Sequence, residues 1–371
     1  MKTLLIKAAG ITNPNWRGYN SGVGRSTQLL LEALSKEVPL PFELHYYTNG
    51  MSSLNHKNAF PFKYHRFLLP EEWGCHKTKI EPFYRAHCLK YDLLHIPHNL
   101  DAIFSGEKYV VTLHDVIGYD NAKKDGNQVA AQKWIDMARN SVGIITCSNF
   151  SKGEIVDKLG VCADKVDVAY WGINYDKFHI ENETMVKNRL NKLGIDFPFF
   201  VAISCAHPRK NIRTLLKAYQ LFSKQKPQHR LVLVWGNPPS DLLETYAKEI
   251  REKNIIFLDY VSDEDLTALY NGASCTMFPT RSEGFGFPVL ESFACGTPVM
   301  TCKNTSLPEV GRDVALFVGE DDIDGMVDIM KLFESNSYDT NRFLIKSKNL
   351  LQNFSWSKTA KSYIDFYQKH L

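Results

Sequence analysis

Short β-type runs alternate with helical stretches along almost the whole chain, and they do so in two successive sets. The first set is FELHYY, DLLHI, YVVTLHD, VGIITCS and KVDVAYW, preceded by an apolar run at residues 2–9. The second is FPFFVAIS, HRLVLVWG, NIIFLD, CTMFPT and TPVMTC. Strand–helix alternation of this kind points to parallel sheets with crossover helices, since parallel neighbours are reached only by long return connections. A charged, Asn-rich stretch at about residues 173–197 separates the sets. The reading is an α/β chain of two similar domains, 1–178 and 179–355, facing a cleft. A helical stripe (Ala360, Tyr363, Ile364, Tyr367) in residues 356–371 can pack on either domain, the first included. Two helix starts are also expected, one at Ser21, leading to Leu29, Leu30 and Leu34, and one at the Ser151-x-x-Glu154 capping box.

Length and composition fit this reading. At ~150 residues per domain, 371 residues suit two or three domains. The net charge of +3 argues against a dedicated nucleic-acid binder. Eight cysteines with no Cys-x-x-Cys pair read as reduced thiols. The start, MKTLLIKAAGITN, lacks an apolar export core, and no run of ~18 apolar residues occurs. A cytosolic enzyme is the expectation.

The most informative segment is 280–298, TRSEGFGFPVLESFACGTP. Pro288 suits the first helical position, so a helix should open there, just past the strand CTMFPT. Gly284 and Gly286 permit close approach of a ligand to the loop backbone. In doubly wound sheets ligands sit outside the carboxyl ends of strands, and helix N-termini hold anions. Glu283 in the loop and Glu291, expected in the first helical turn, suit acceptance of hydrogen bonds from sugar hydroxyls; the plainer alternative is a solvated loop charge and a helix-dipole partner. His207, Pro208, Arg209, Lys210 and Asn211 follow the strand FFVAIS. Paired Arg209 and Lys210 at a strand's carboxyl end suit a diphosphate, where an ordinary exposed loop pair is the alternative.

Other stretches speak less clearly. SGVGRS places Gly22 and Gly24 before a helix, but Thr27 stands where a dinucleotide fingerprint needs its third glycine. No GxxxxGK[ST] occurs, which excludes a P-loop. His114 follows the strand YVVTL, where a cleft residue belongs, although an isolated histidine is more often structural; Asp115 can cap the next segment or orient His114. Asp263 and Asp265, and Asp322 and Asp324, read as first-turn acids, not metal ligands; no zinc spacing is present. Residues 56–90 mix seven Lys or Arg with many aromatics against three acids. Such a stretch is commonly loop and core, or it can rest on an anionic membrane or hold a lipid-linked acceptor.

Together these segments resemble glycosyltransferase family 4, a retaining family with the GT-B fold of two Rossmann-like domains. EGFGFPVLE matches the family's Glu-(seven residues)-Glu signature at Glu283 and Glu291, and PRKN its phosphate-clamping loop at Arg209 and Lys210. DYVSDEDLTALYNGAS, NTSLPEVGRDVALFV and FSWSKTAKSYIDFY are similar to family stretches, as are SGVGRS (Gly22, Gly24), TLHD (His114) and TCSNFSK. Two positions depart: Ser204 stands where many members carry Arg, and Tyr170, Trp171, Gly172, Ile173 and Asn174 replace the usual Pro-Asn-Gly-(Val/Ile)-Asp. The resemblance implies a metal-independent hexosyltransferase that needs no cofactor beyond its GDP- or UDP-sugar substrate, with a first domain for the acceptor and a second for the donor. Arg209, Lys210 and the turn Gly284, Phe285 and Gly286 would hold the diphosphate, Glu283 the sugar, Glu291 the ribose and His114 the transferred sugar. PRKN and NTSLPEV resemble mannosyl-type members. The acceptor would be a glycan or lipid-linked saccharide of polysaccharide synthesis, met in the cytoplasm or at the inner face of the plasma membrane. Competing readings are a glycoside hydrolase using Glu283 and Glu291, a non-catalytic nucleotide- or glycan-binding protein and, more distantly, a nicotinamide-dependent dehydrogenase.

Overall fold

The computed structural model describes residues 1–8, 11, 22–50, 60–68, 72–73, 76–77, 80–203, 207–259 and 261–371. The expected helix start at Ser21, the Ser204 position and parts of 56–90 lie outside them. The chain divides into two compact units, residues 1–172 with 354–371, and residues 173–353.

In the first unit β1 (Thr3–Lys7), β2 (Glu43–Asn49) and β3 (Lys63–Phe67) are followed by the two-residue strands β4 (Glu72–Trp73) and β5 (His76–Lys77), which pair with each other. Then come β6 (Leu93–Ile96), β7 (Tyr109–Thr112), β8 (Gly143–Thr146) and β9 (Val166–Val168). The main sheet runs β3-β2-β1-β6-β7-β8-β9, with every pairing parallel. Leu4 and Ile6 enter one apolar cluster and Leu5 enters another, because alternate residues of a strand face opposite sides. Both sides are covered, which explains the near-continuous apolar runs in the sequence.

The second unit carries β10 (Phe199–Ala202), β11 (Arg230–Val234), β12 (Ile255–Leu258), β13 (Cys275–Phe278), β14 (Val299–Cys302) and β15 (Leu316–Val318). Their order is β12-β11-β10-β13-β14-β15, again all parallel. Strand order reverses direction between β10 and β13. Outside the carboxyl ends of such a pair, the diverging crossovers leave a crevice.

Local rules account for most helix starts, with corrections at several of them. The helix after β8 spans Asn149–Leu159 and is capped by Ser148, whose hydroxyl accepts from the Ser151 amide at 3.0 Å. It therefore starts before the expected Ser151 box; Ser151 is buried and its hydroxyl donates to the His114 carbonyl at 3.1 Å. Ser262 caps the helix Asp263–Gly272, accepting from the Asp265 amide, and Asp322 caps Ile323–Glu334. Among the described residues no group of His, Cys, Asp or Glu is placed to hold a metal ion, and no helix is long and apolar enough to cross a membrane.

The final helix, Trp356–His370, belongs to the first unit and buries Ala360, Tyr363, Phe366 and Tyr367 against Leu4, Ile6 and Leu34. Gly172 is required where that helix begins, since a Cβ there would lie 2.1 Å from the Trp356 amide nitrogen. The helix is also held by a buried polar chain. His95, in β6, pairs through Nε2 with Thr112 Oγ1 at 2.8 Å and through Nδ1 with Tyr367 Oη at 2.8 Å, and Thr112 meets Tyr363 Oη at 3.1 Å.

Burial, reinforced by the charges of His98 and His114, pushes the His95 imidazole down to about 3. In the unfolded chain the ring takes its proton near pH ~6.5. The neutral packed ring thus contributes its full stability above that pH, and loses it as pH falls toward the folded value. At ~1.4 kcal/mol per pH unit, the loss at pH 5 is about 2 kcal/mol. Denaturation at pH 7.5 and 5.0 should therefore cost wild type about 2 kcal/mol more than His95→Gln. Equal losses in the two proteins would mean the ring is not held neutral.

Candidate functional site

The carboxyl ends of β10 and β13 bring three of the expected residues together. After β10 the chain forms a 3-10 turn, Pro208–Lys210, capped by His207, whose ring accepts from the Arg209 amide at 3.1 Å. Asn211 ends the turn with φ of 60° and starts the helix Ile212–Ser223. This reversal directs both basic side chains toward the loop after β13. Arg209 Nη1 donates to Glu283 Oε1 at 2.6 Å and to the Ser282 carbonyl at 2.8 Å. Lys210 Nζ donates to the same Glu283 oxygen at 2.6 Å, and Thr280 Oγ1 donates to it at 3.0 Å. The Lys210 ammonium also lies 4.9 Å from the centre of the Phe278 ring. The backbones are joined as well, the Arg281 amide donating to the Arg209 carbonyl at 2.8 Å.

Electrostatics follows from this geometry. Two cations share one carboxylate, so the cluster keeps a surplus positive charge at a place where Lys210 is 8% exposed. Reduced solvation strengthens the pull of that surplus on an anion. The same cations disfavour a third charge: His207 is held below its ordinary value by burial first and then by Arg209 and Lys210.

Next to the cluster, Gly286 adopts φ of 105°, a region that strains any residue with a Cβ, and caps the helix Phe287–Ala294. Ser306 Oγ donates to the carbonyls of Glu283 and Phe285 at 3.0 and 2.9 Å, so those oxygens are engaged around Gly284. The helix opens at Phe287 with Pro288 second, one residue earlier than expected. Glu291 is therefore its fifth residue and lies beyond the first turn, which corrects the dipole-partner reading. Glu291 is buried, and Tyr270 Oη donates to its Oε2 at 2.9 Å.

His114, Gly22 and Gly24 lie in the first unit. Gly22 and Gly24 stand in the first turn of the helix Gly22–Lys36, not ahead of it. His114 follows β7, packed against Trp171 with ring centres 5.0 Å apart. Its Nε2 faces the Pro97 carbonyl at 3.0 Å and so carries the proton. Nδ1 is the buried acceptor, with no hydrogen-bond partner among the described residues. Burial pushes the ring down to about 4, opposed by the Pro97 bond and aided by the charge of His98, so it is neutral near pH 7. The His114 carbonyl accepts from Ser151 Oγ and Cys147 Sγ, and its amide donates to Asn99. Asp115 accepts from the Ile117 amide at 3.0 Å, entering the next helix.

Sequence reading missed the residues that hold this constellation: Thr280, Ser306, Tyr270, Pro97 and Asn99. Thr280, Tyr270 and Ser306 lie inside stretches that carried signal (TRSEGFGFPVLESFACGTP, DYVSDEDLTALYNGAS and NTSLPEV) but were not singled out there, and Pro97 and Asn99 carried none. Glu81 and Arg85, counted within the basic-aromatic stretch 56–90, are buried, in keeping with its core reading. Lys7 Nζ lies 2.8 Å from Glu81 and 2.6 Å from Asp101, and Arg85 Nε lies 2.8 Å from Glu107.

Comparison with known proteins identifies the family of the chain. Residues 187–350 match the family "Glycosyl transferases group 1", and residues 20–177 match "Glycosyltransferase Family 4". The chain is 30% identical over 283 residues to the O-antigen chain mannosyltransferase B of Escherichia coli, covering 74% of this chain and 72% of that protein. It is 28% identical over 240 residues to the serotype-specific mannosyltransferase WbdA of Escherichia coli, covering 62% of this chain but only 29% of the relative. The crystal structure of HepE from Anabaena, solved in complex with UDP and glucose, superposes with a TM-score of 0.73 at 15% identity, covering all of both chains. The two parallel-sheet units are thus those of the GT-B fold, and the chain belongs to glycosyltransferase family 4.

Proposed function

We propose that the chain is a retaining hexosyltransferase that moves a sugar from a nucleotide-diphosphate donor to a glycan or lipid-linked saccharide in polysaccharide biosynthesis. Mannose is the favoured sugar and GDP the favoured nucleotide, with UDP-hexoses as alternatives. The observation that carries the reading is the sharing of one Glu283 oxygen by Arg209 and Lys210 at the carboxyl ends of β10 and β13. The E. coli mannosyltransferases among the relatives support the choice of sugar and of pathway class.

In the reaction the bond from the anomeric carbon to the β-phosphate oxygen breaks, and its electron pair stays on the phosphate. Arg209, Lys210 and the amide end of the Phe287–Ala294 helix stabilise the charge that grows there. No metal is required in this scheme, as the side-chain cations carry that stabilisation. The acceptor hydroxyl oxygen bonds to the same face of the anomeric carbon, and its proton passes to the departing phosphate. Glu283 accepts from the sugar hydroxyls and Glu291 from the ribose. His114 acts through its ring, because its carbonyl already serves Ser151 and Cys147. The neutral Nδ1 lone pair is suited to a sugar hydroxyl. The first unit takes the acceptor, and peripheral membrane contact through residues 56–90 belongs to the same proposal. Phe83, 54% exposed on the helix Ile80–Cys88, supports it.

A glycoside hydrolase is disfavoured by the same geometry. The Glu283 oxygen already accepts from two cations and a hydroxyl, and Glu291 is engaged by Tyr270. Neither stands free as a proton donor facing a second carboxylate.

Lys210→Ala should lower nucleoside-diphosphate release from GDP-mannose or UDP-glucose with saccharide acceptors by about 100-fold, or ~3 kcal/mol of transition-state energy. Its thermal midpoint should stay near wild type; near-normal transfer by Lys210→Ala or Glu283→Ala would falsify the site. Nucleotide choice is separable: at ~100 times its dissociation constant, the preferred donor should add about 2.7 kcal/mol of apparent stability, and the other much less. Stabilisation without nucleoside-diphosphate release from any acceptor would favour a binding protein over an enzyme.

A further inference from the structure

Glu320, in the turn after β15, joins loops from three other strand ends. Its carbonyl accepts from Asn211 Nδ2 at 2.7 Å, at the residue that ends the Arg209–Lys210 turn. Its Oε1 accepts from Asn304 Nδ2 at 2.6 Å, and its Oε2 accepts from Arg281 Nη1 at 2.9 Å. Asn304 Nδ2 in turn reaches the carbonyls of Thr280 and Arg281, both at 3.2 Å. Arg281 also donates to both carboxylate oxygens of Asp321. The ends of β10, β13, β14 and β15 are thereby tied through one acidic turn.

Arg281 is the informative member. It stands two residues before Glu283 and its amide bonds the Arg209 carbonyl, yet its guanidinium is committed to Glu320 and Asp321, not to the Glu283 cluster. Its side chain is 37% exposed, as is that of Glu320. Ion pairs this exposed contribute little to global stability. What this one does fix is the spacing between two loops, one bearing Arg209 and Lys210 and the other Glu283. A site that stabilises charge loses efficiency when its groups drift by even ~1 Å.

We propose that Arg281, through Glu320 and Asn304, is a positioning residue that holds Lys210 and Glu283 in register for the donor diphosphate. The inference rests on the glycosyltransferase reading of the site. Arg281 touches no reacting atom in this scheme; it acts on affinity through the loops it ties.

The test is calorimetric titration of GDP and of UDP into wild type, Arg281→Gln, Arg281→Lys, Asn304→Ala and the double variant Arg281→Gln/Asp321→Asn, which removes one charge of each sign. Arg281→Gln should weaken the better-bound nucleotide about 10-fold, with a thermal midpoint within about 2 °C of wild type. Arg281→Lys should recover part of the loss, and Asn304→Ala, which cuts a different limb of the tie, should weaken binding in the same direction. The charge-balanced double variant should stay as weak as Arg281→Gln. Wild-type affinity in Arg281→Gln, or full recovery in the double variant, overturns the positioning role, the latter by showing a plain charge effect. Lys210→Ala separates the two levels: if wild type binds neither nucleotide and Lys210→Ala behaves identically, the donor reading itself fails. If Lys210→Ala weakens binding while Arg281→Gln does not, only the positioning role fails.

Discussion

Glu283 Oε1 lies 2.6 Å from both Arg209 Nη1 and Lys210 Nζ, and much of the second unit is arranged so that it can. Two basic side chains on consecutive residues repel each other unless an opposing charge lies between them. The sheet order supplies that charge by setting β10 beside β13, so that loops 73 residues apart in sequence meet. The αL turn at Asn211 aims one loop, and the Gly286 turn ends the other. Ser306 and Thr280 then fix the loop carrying the carboxylate. Under the proposed function, an arriving diphosphate would meet cations already held in place and need little rearrangement to use them.

Much of this was legible in the sequence, for physical reasons that differ from residue to residue. Buried parallel strands must be apolar on both faces, so β10 to β15 stand out as runs such as FPFFVAIS and CTMFPT. Ser262 sits where cap chemistry demands it, whereas Asp322, read as a first-turn acid, is itself the cap and leaves Asp324 as the acid of that turn. Ser151 misled because a Ser-x-x-Glu string scores as a box wherever it falls. The choice between Ser148 and Ser151 was made by tertiary contact, Ser151 being drawn to the His114 carbonyl. Thr280, Asn304 and Glu320 were invisible as a group, because what unites them is convergence of strand ends and not spacing along the chain.

Polarity in the first unit departs furthest from simple patterning. The helix Ile80–Cys88 buries Glu81 and Arg85 and exposes Phe83, the reverse of an ordinary amphipathic helix. Glu81 accepts from Tyr47 and Asn49 and pairs with Lys7, while Arg85 meets Glu107 through two nitrogens. Buried charges survive when they are paired and hydrogen-bonded, and Glu81 and Arg85 are both. Composition recorded these residues as part of a basic stretch; only their partners at the ends of β1 and β2 and just ahead of β7 reveal them as interior.

The helix Trp356–His370 completes the apolar cluster of the first unit, although residues 173–353 of the second unit intervene in the chain. During translation the second unit therefore has all its own strands and helices before the first has its last helix. Until then Leu4, Ile6 and Leu34 lack the cover of Ala360, Tyr363 and Tyr367, and His95 lacks Tyr367. Because domains fold as units while the ribosome still advances, the order of completion is the reverse of the order of synthesis. The residues of the first unit wait longest for their packing partners.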